Sequence, residues 1–204
     1  MLIPHANIWG AKTVVWPDPG ASEGPRGRLL CHDLSGGGPA SWATLPHMAS
    51  VFGALSLNAF SFSGFDRPAY LSKSRLTAGI HHFTNEAEME DRLASAGVEI
   101  FHPQEMTFTA QVALFGERAL IMGGPGSAFH TAIFAAAGGR SLCLSPGSTI
   151  HSSYLLLDQV SEREAVYVCP VEDTSTSEST GFQSSHTLAN AREAAEALLR
   201  LAGI

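Results

Sequence analysis

Cysteine is scarce in this chain of 204 residues. Cys31, Cys143 and Cys169 are the only three, too few and too scattered for a disulfide framework, and no CxxC pair offers a zinc site. Cys143 and Cys169 sit in apolar runs, the setting of a small buried hydrophobe. Positive charge is also short: 12 Lys and Arg stand against 19 Asp and Glu, a formal net charge of -7. That balance does not suit a surface for nucleic acid or anionic lipid. No apolar run is long enough to span a bilayer, and MLIPHANIWG at the start lacks the basic region and apolar core of a secretory signal. A cytoplasmic chain without a transmembrane segment is therefore expected. The nine histidines form no His-x-His or His-x-x-x-His pair beside a carboxylate, and adjacent His81 and His82 point apart on any regular element, so no metal site is expected.

What is present reads as an ordinary globular domain, 45% hydrophobic and 15% charged. Its most informative stretch is Ala119 to Pro146, ALIMGGPGSAFHTAIFAAAGGRSLCLSP. Ala119 to Met122 has the composition of a buried parallel strand, and it stops at Gly123-Gly124-Pro125-Gly126, where missing Cβ atoms permit positive φ or close approach. Ser127 is placed to cap a helix over Ala128 to Ala137, Gly138-Gly139 to end it, and Ser141 to Leu144 to resume the sheet. In such a βαβ unit the helix N-terminus faces the crevice above the strand and suits an anion, most often a phosphate. The same pattern also serves as a tight connection with no ligand.

The rest of the chain repeats the alternation. Thr13 to Trp16 and Arg28 to His32 are strand-like within a Pro- and Gly-rich start, residues 1–42, expected to be otherwise irregular. The α/β domain is expected over residues 43–204. Thr44 can cap a helix whose Met48, Val51, Phe52 and Leu55 recur at helical spacing. Ala69 to Ser72 reads as a strand that runs into Lys73-Ser74-Arg75. Thr-Asn-Glu from Thr84 opens a helix with Met89 and Leu93 on one face, closed by Gly97, and Val98 to Phe101 is the next strand. Thr107 or Thr109 caps the following helix. Beyond Pro146 come a helix through HSSYLLLDQV, a strand Ala165 to Cys169, an aperiodic stretch from Asp173 to His186 expected to be a mobile loop, and a closing helix with Leu188, Ala195, Leu198 and Leu199 inward. The expected fold is an open, mainly parallel α/β sheet with helices on both faces. Lys73, Arg75, His102 and the turn from Gly123 to Ser127 all follow strands, and ligands in such sheets bind beyond the strands' carboxyl ends.

The segments YLSKSRL, TNEAEMEDRLASAGVEIFHPQEMTFTAQVALF and GGPGSAFHTAIFAAAGG, in that order and spacing, resemble the carboxyl-terminal half of glycosyltransferase family 61, over about Arg28 to the C-terminus. The resemblance implies a Rossmann-like domain, one half of the GT-B type. It further implies a nucleotide-sugar donor, a glycan acceptor, inverting hexosyl or pentosyl transfer and no obligatory metal. Lys73 matches the place of a family arginine suited to the donor diphosphate. Asn85 and Glu86 match an asparagine-glutamate pair; Glu105, Gln111 and Phe115 match the helix region before the central strand; Gly126, Ser127 and Ala128 match the small-residue turn. Departures fall at Pro125 for histidine, Thr131 for asparagine and Cys143 for a glutamate suited to ribose hydroxyls.

Two functions follow. One is a glycosyltransferase in short or split form, binding its donor through Lys73, Arg75, Gly124, Gly126, Ser127 and Ala128, with His130 and His102 the candidates for the base that deprotonates the acceptor. The other is a degenerate, non-catalytic domain that binds a sugar nucleotide, a glycan or a partner. A domain of this size leaves room for one half of a GT-B pair. A partner chain or second copy is therefore expected to supply the other, packed on Ile8, Trp9 and Trp16.

Overall fold

The computed structural model describes residues 12–15, 30–31, 67–76, 82–135, 137–146, 149–169, 174–176 and 184–204. The helix expected after Thr44 lies outside these residues, as do Ile8, Trp9, Trp16 and the boundary at 42/43. In chain order the strands are β1 (Lys12–Val15), β2 (Leu30–Cys31), β3 (Ala69–Leu71), β4 (His82–Phe83), β5 (Glu99–Phe101), β6 (Leu120–Gly123), β7 (Arg140–Leu144), β8 (Thr149–Ile150), β9 (Glu164–Cys169), β10 (Thr174–Thr176) and β11 (Ser185–Leu188). The helices are α1 (Glu86–Ser95), α2 (Phe108–Glu117), α3 (Ser127–His130), α4 (Ser152–Val160) and α5 (Ala191–Ala202), with single 3-10 turns at Pro103–Glu105 and Thr131–Phe134.

Six strands form the main sheet in the order β1-β9-β7-β6-β3-β5, and every pairing is parallel. All five strands expected from the alternating pattern are there, with β1 added at the outer edge. The strands are short and almost wholly apolar because both faces are covered. Tyr70, Met122, Leu142, Leu144, Val166 and Val168 turn to one face and pack with Met89 and Leu93 of α1 and Leu198 and Leu199 of α5. On the opposite face Ala69, Leu71 and Ile121 meet Val112, Leu114 and Phe115 of α2, while Cys143, Ala165 and Tyr167 meet Leu155 of α4. Cys143 and Cys169 are buried thiols in this layer, as their apolar surroundings imply.

Chain direction reverses at one place in this order. From β3 the chain steps outward to β5, then crosses back so that β6 lies on the other side of β3. The carboxyl ends of β3 and β6 therefore flank the switch point at which open α/β sheets take up ligands. In register, Leu71 stands opposite Gly123.

Three expectations change. The stretch from Asp173 to His186 contains β10 and the start of β11, which pair antiparallel and join β4 in a small three-stranded sheet. Its alternating Thr and Ser residues lack apolar period; just beyond the stretch, Thr187 of β11 meets Thr84, next to β4, hydroxyl to hydroxyl at 2.6 Å. Leu188 is buried, but as the last residue of β11; the closing helix begins at Ala191, where the Asn190 side chain accepts from Glu193 N at 3.0 Å. The crossover helix after β6 is far shorter than the expected Ala128 to Ala137. It makes four α-helical residues and tightens into a 3-10 turn, as the Thr131 hydroxyl donates back to the Ala128 carbonyl at 2.7 Å.

Gly138 and Gly139 accordingly do not cap a helix. Both have positive φ, +103° and +86°, in the turn that leads into β7. A Cβ on Gly139 would lie 2.8 Å from the guanidinium of Arg163. Arg163 is buried and donates to the carbonyls of Gly138, Arg140 and Phe115 and to the Ser141 hydroxyl. Gly139 leaves room for that arginine, while Gly138, whose Cβ would meet nothing within 4 Å, answers to its positive φ alone.

Candidate active site at the carboxyl ends of β3 and β6

Lys73 follows β3 by two residues, and its ammonium donates to the carbonyl of Pro125 in the turn after β6. The side chain lies flat over that turn. A Cβ on Gly126 would come within 3.0 Å of Lys73 Cε, and one on Gly124 within 3.9 Å of the same atom and 3.6 Å of the Phe83 ring. Gly126 has an extended backbone, φ -175°, which any residue adopts, so its missing side chain matters as space for Lys73. Gly123 is glycine for packing of another kind. A Cβ there would stand 2.8 Å from the Leu71 carbonyl oxygen and 3.3 Å from the Phe129 ring, so close approach, not positive φ, explains the glycines at 123 and 126.

A pocket of about 180 Å³ opens beside this turn. Lys73, Gly124, Gly126, Ser127 and Ala128 line it, five of the six residues expected to hold a donor. Its remaining wall is Leu71, Leu76, Phe129, Pro103, Gln104 and Gln111. Gln111 is anchored by its amide N–H to the Pro103 carbonyl at 2.9 Å. Ser127 is the first helical residue and not the cap; the N-cap is Gly126, without a side-chain bond. Ser127 is exposed and lines the pocket. Four helical residues align too few peptide dipoles to hold an anion by themselves. The pocket's positive charge is that of Lys73, the one ionisable group among its described lining residues.

Arg75 is not on this wall. It turns to solvent and pairs with Glu105 at 2.9 Å, both side chains more than half exposed. His102 ends the approach to the pocket, directly before Pro103 and Gln104, and its Nδ1 is buried without a partner. His130 faces the other way, its ring 5.1 Å from that of Tyr154; its Nε2 is also buried and unpartnered, and burial followed by the charge of His151 lowers its pKa. Neither histidine lines the pocket. Nor do the three departures from the family pattern: Pro125 lends its carbonyl to Lys73, Thr131 ties the helix end, and Cys143 projects to α4, where burial raises its pKa.

Behind Lys73 lies a buried carboxylate. Glu86 at the start of α1 is 1% exposed and accepts from the Tyr70 hydroxyl at 2.8 Å and the Lys73 backbone N–H at 3.0 Å. Burial pushes its pKa up to about 6, against the opposing pull of those two bonds and the Lys73 charge. Burial likewise lowers the Lys73 pKa, while Glu86 opposes that shift. Asn85 does not cap α1; its side chain bridges the backbone of Leu188, donating at 2.9 Å and accepting at 3.1 Å. The readable signal for Glu86 was its place on the apolar stripe of α1, three and seven residues before Met89 and Leu93.

The sequence model of glycosyltransferase 61 matches residues 38–142, just over half of the chain. The chain belongs to glycosyltransferase family 61. The matched stretch takes in every described residue of the pocket wall. No curated protein matches the chain. Membership in family 61 makes this a sugar-transferring protein with donor and acceptor to bind, and among the described residues no helix is long and apolar enough to cross a membrane.

Proposed function

We propose that this chain is the donor-binding half of an inverting glycosyltransferase, moving a hexosyl or pentosyl group from a nucleotide sugar to a glycan acceptor. The observation that carries the reading is the position of Lys73, a cation held over a glycine turn at the switch point of the sheet. In an inverting displacement the acceptor oxygen attacks the anomeric carbon as the bond to the diphosphate oxygen breaks, and negative charge grows on the leaving diphosphate. A partly desolvated ammonium stabilises that charge far more than one in water does. Gly124, Gly126 and Ser127 line the pocket beside it. No metal is required for this step when Lys73 carries the counter-charge.

A pocket of about 180 Å³ is below the roughly 300 Å³ at which small-molecule sites usually begin. It fits a diphosphate with part of one attached ring. The rest of the donor and the acceptor then lie in a cleft closed by a second body, a partner chain or another copy of this one. We propose His102, at the pocket's margin, or a group of the closing body as the general base. Thermal shift with UDP-, GDP-, CMP- and dTDP-sugars tests the reading: a ligand at about a hundred times its dissociation constant adds roughly 2.7 kcal/mol of stability. A raised midpoint with one class supports a donor site; no shift with any class favours the non-catalytic alternative.

A further inference from the structure

The residues that hold Lys73 in place lie outside the pocket, on one face of α1. Glu86 and Glu90 are one helical turn apart and both point at the chain leaving β3. Glu86 takes the Tyr70 hydroxyl and the Lys73 N–H. Glu90 accepts from the buried Ser72 hydroxyl at 2.5 Å, and Ser72 Oγ in turn accepts from Ser74 N at 3.0 Å. Tyr70, Ser72 and Lys73 are thus held by two acidic side chains, and Ser74 is held through Ser72. Burying a carboxylate at 1% exposure is expensive unless its bonds do something in return. Here they fix the turn from which the Lys73 side chain sets out toward Pro125 and Gly126.

We propose that Glu86 is a positioning residue for the donor site: its buried carboxylate clamps the Lys73 backbone so that the ammonium is delivered over the glycine turn. This rests on the donor-site reading above for its consequence in binding, but not for the clamp itself. The titratable and charged groups facing Glu86 are Tyr70 and Lys73 from the strand side and Glu90 from its own helix; Cys143 on β7 lies within electrostatic reach of Tyr70 and Lys73. When the pH falls through about 6, the carboxyl takes a proton. It then loses its charge and its hold on the Lys73 N–H weakens.

The ligand-free test is a pH titration of the Lys73 amide resonance by heteronuclear NMR. The clamp predicts a transition with a midpoint near 6 in the unaltered chain and none there in Glu86→Gln, which keeps an acceptor but cannot titrate. A Lys73 amide that stays flat between pH 4.5 and 8 overturns the proposal. The binding test is calorimetric titration with pyrophosphate at pH 7.5. Glu86→Ala is expected to bind at least tenfold more weakly, whereas Glu86→Gln binds at least as tightly as the unaltered chain, since its amide oxygen accepts from the Lys73 N–H while its amide N–H donates to the Tyr70 hydroxyl oxygen, and it removes a negative charge near the anion. Equal affinity in Glu86→Ala, with an unchanged unfolding midpoint, overturns the positioning role. If Glu86→Ala does not fold, Glu86→Gln and the amide titration decide. If the unaltered chain binds neither pyrophosphate nor any nucleotide sugar, the donor-site reading fails, and the amide titration still decides the clamp.

Discussion

At the scale of single residues, the two basic side chains that follow β3 separate cleanly. Lys73 lies over the glycine turn with its ammonium on the Pro125 carbonyl; Arg75 faces solvent beside Glu105. Removing Arg75 should leave nucleotide-sugar affinity within about twofold, because an exposed pair of this kind contributes roughly 0 to 1 kcal/mol and touches nothing in the pocket. A binding titration of Arg75→Ala checks it. Gly126→Ala brings a methyl to 3.0 Å from the end of a flexible side chain. It should therefore displace Lys73 and weaken donor binding while stability changes by about 0.5 kcal/mol or less. Lys73 was legible in the sequence from its place after an apolar run. The difference between it and Arg75 was not, because it depends on which way each side chain leaves a turn rather than a strand.

Two buried carboxyls give the fold a pH dependence of definite sign. Burial raises Glu86 from 4.5 to about 6 and Asp158, bonded to the Tyr167 hydroxyl, from 3.8 to about 6. The folded chain thus holds protons that the unfolded chain releases. Their contribution is fully present below about pH 4 and is lost as the pH rises through 6, by roughly 2 kcal/mol for Glu86 and 3 kcal/mol for Asp158 at about 1.4 kcal/mol per unit. Urea denaturation between pH 4 and 7 should show this slope superposed on the rest of the titration, and Asp158→Asn should reduce it. A slope unchanged in that variant contradicts the assignment.

At the scale of elements, the turn after β6 and the turn before β7 were both announced by glycine, yet for reasons other than helix capping. The crossover helix is short because Thr131 bonds back to its own first turn and Phe129 packs edge-on to Phe115 at 5.9 Å between ring centres. Neither contact is visible as periodicity. Arg163 was silent in the sequence because its partners are backbone carbonyls brought together from three elements. Arg163→Ala leaves those buried acceptors without a donor and should cost about 3 kcal/mol in chemical denaturation. Gly123→Ala should cost about 1 to 3 kcal/mol, since its methyl meets the rigid Leu71 backbone at 2.8 Å and the register of β3 on β6 cannot relax freely. The five central strands were legible because strands buried on both faces are short unbroken apolar runs; the three-stranded side sheet was not, because Thr and Ser carry no such mark.

At the scale of the whole molecule, the sheet order explains why residues 53 apart in sequence, Lys73 and Gly126, meet at one point. Outward travel to β5 and the return to β6 leave a gap between two strand ends, and the proposed donor site lies there. In the proposed donor site, Lys73 in that gap holds the donor's diphosphate. Charge-assisted bonds to phosphate contribute roughly 1.5 to 3 kcal/mol each. Calorimetric titration of the unaltered chain and Lys73→Ala with the nucleotide sugar that most raises the unfolding midpoint tests this directly. Affinity is expected to be lower by about ten- to a hundredfold in the variant with its fold intact; equal affinity in the two proteins would remove Lys73 from the donor site.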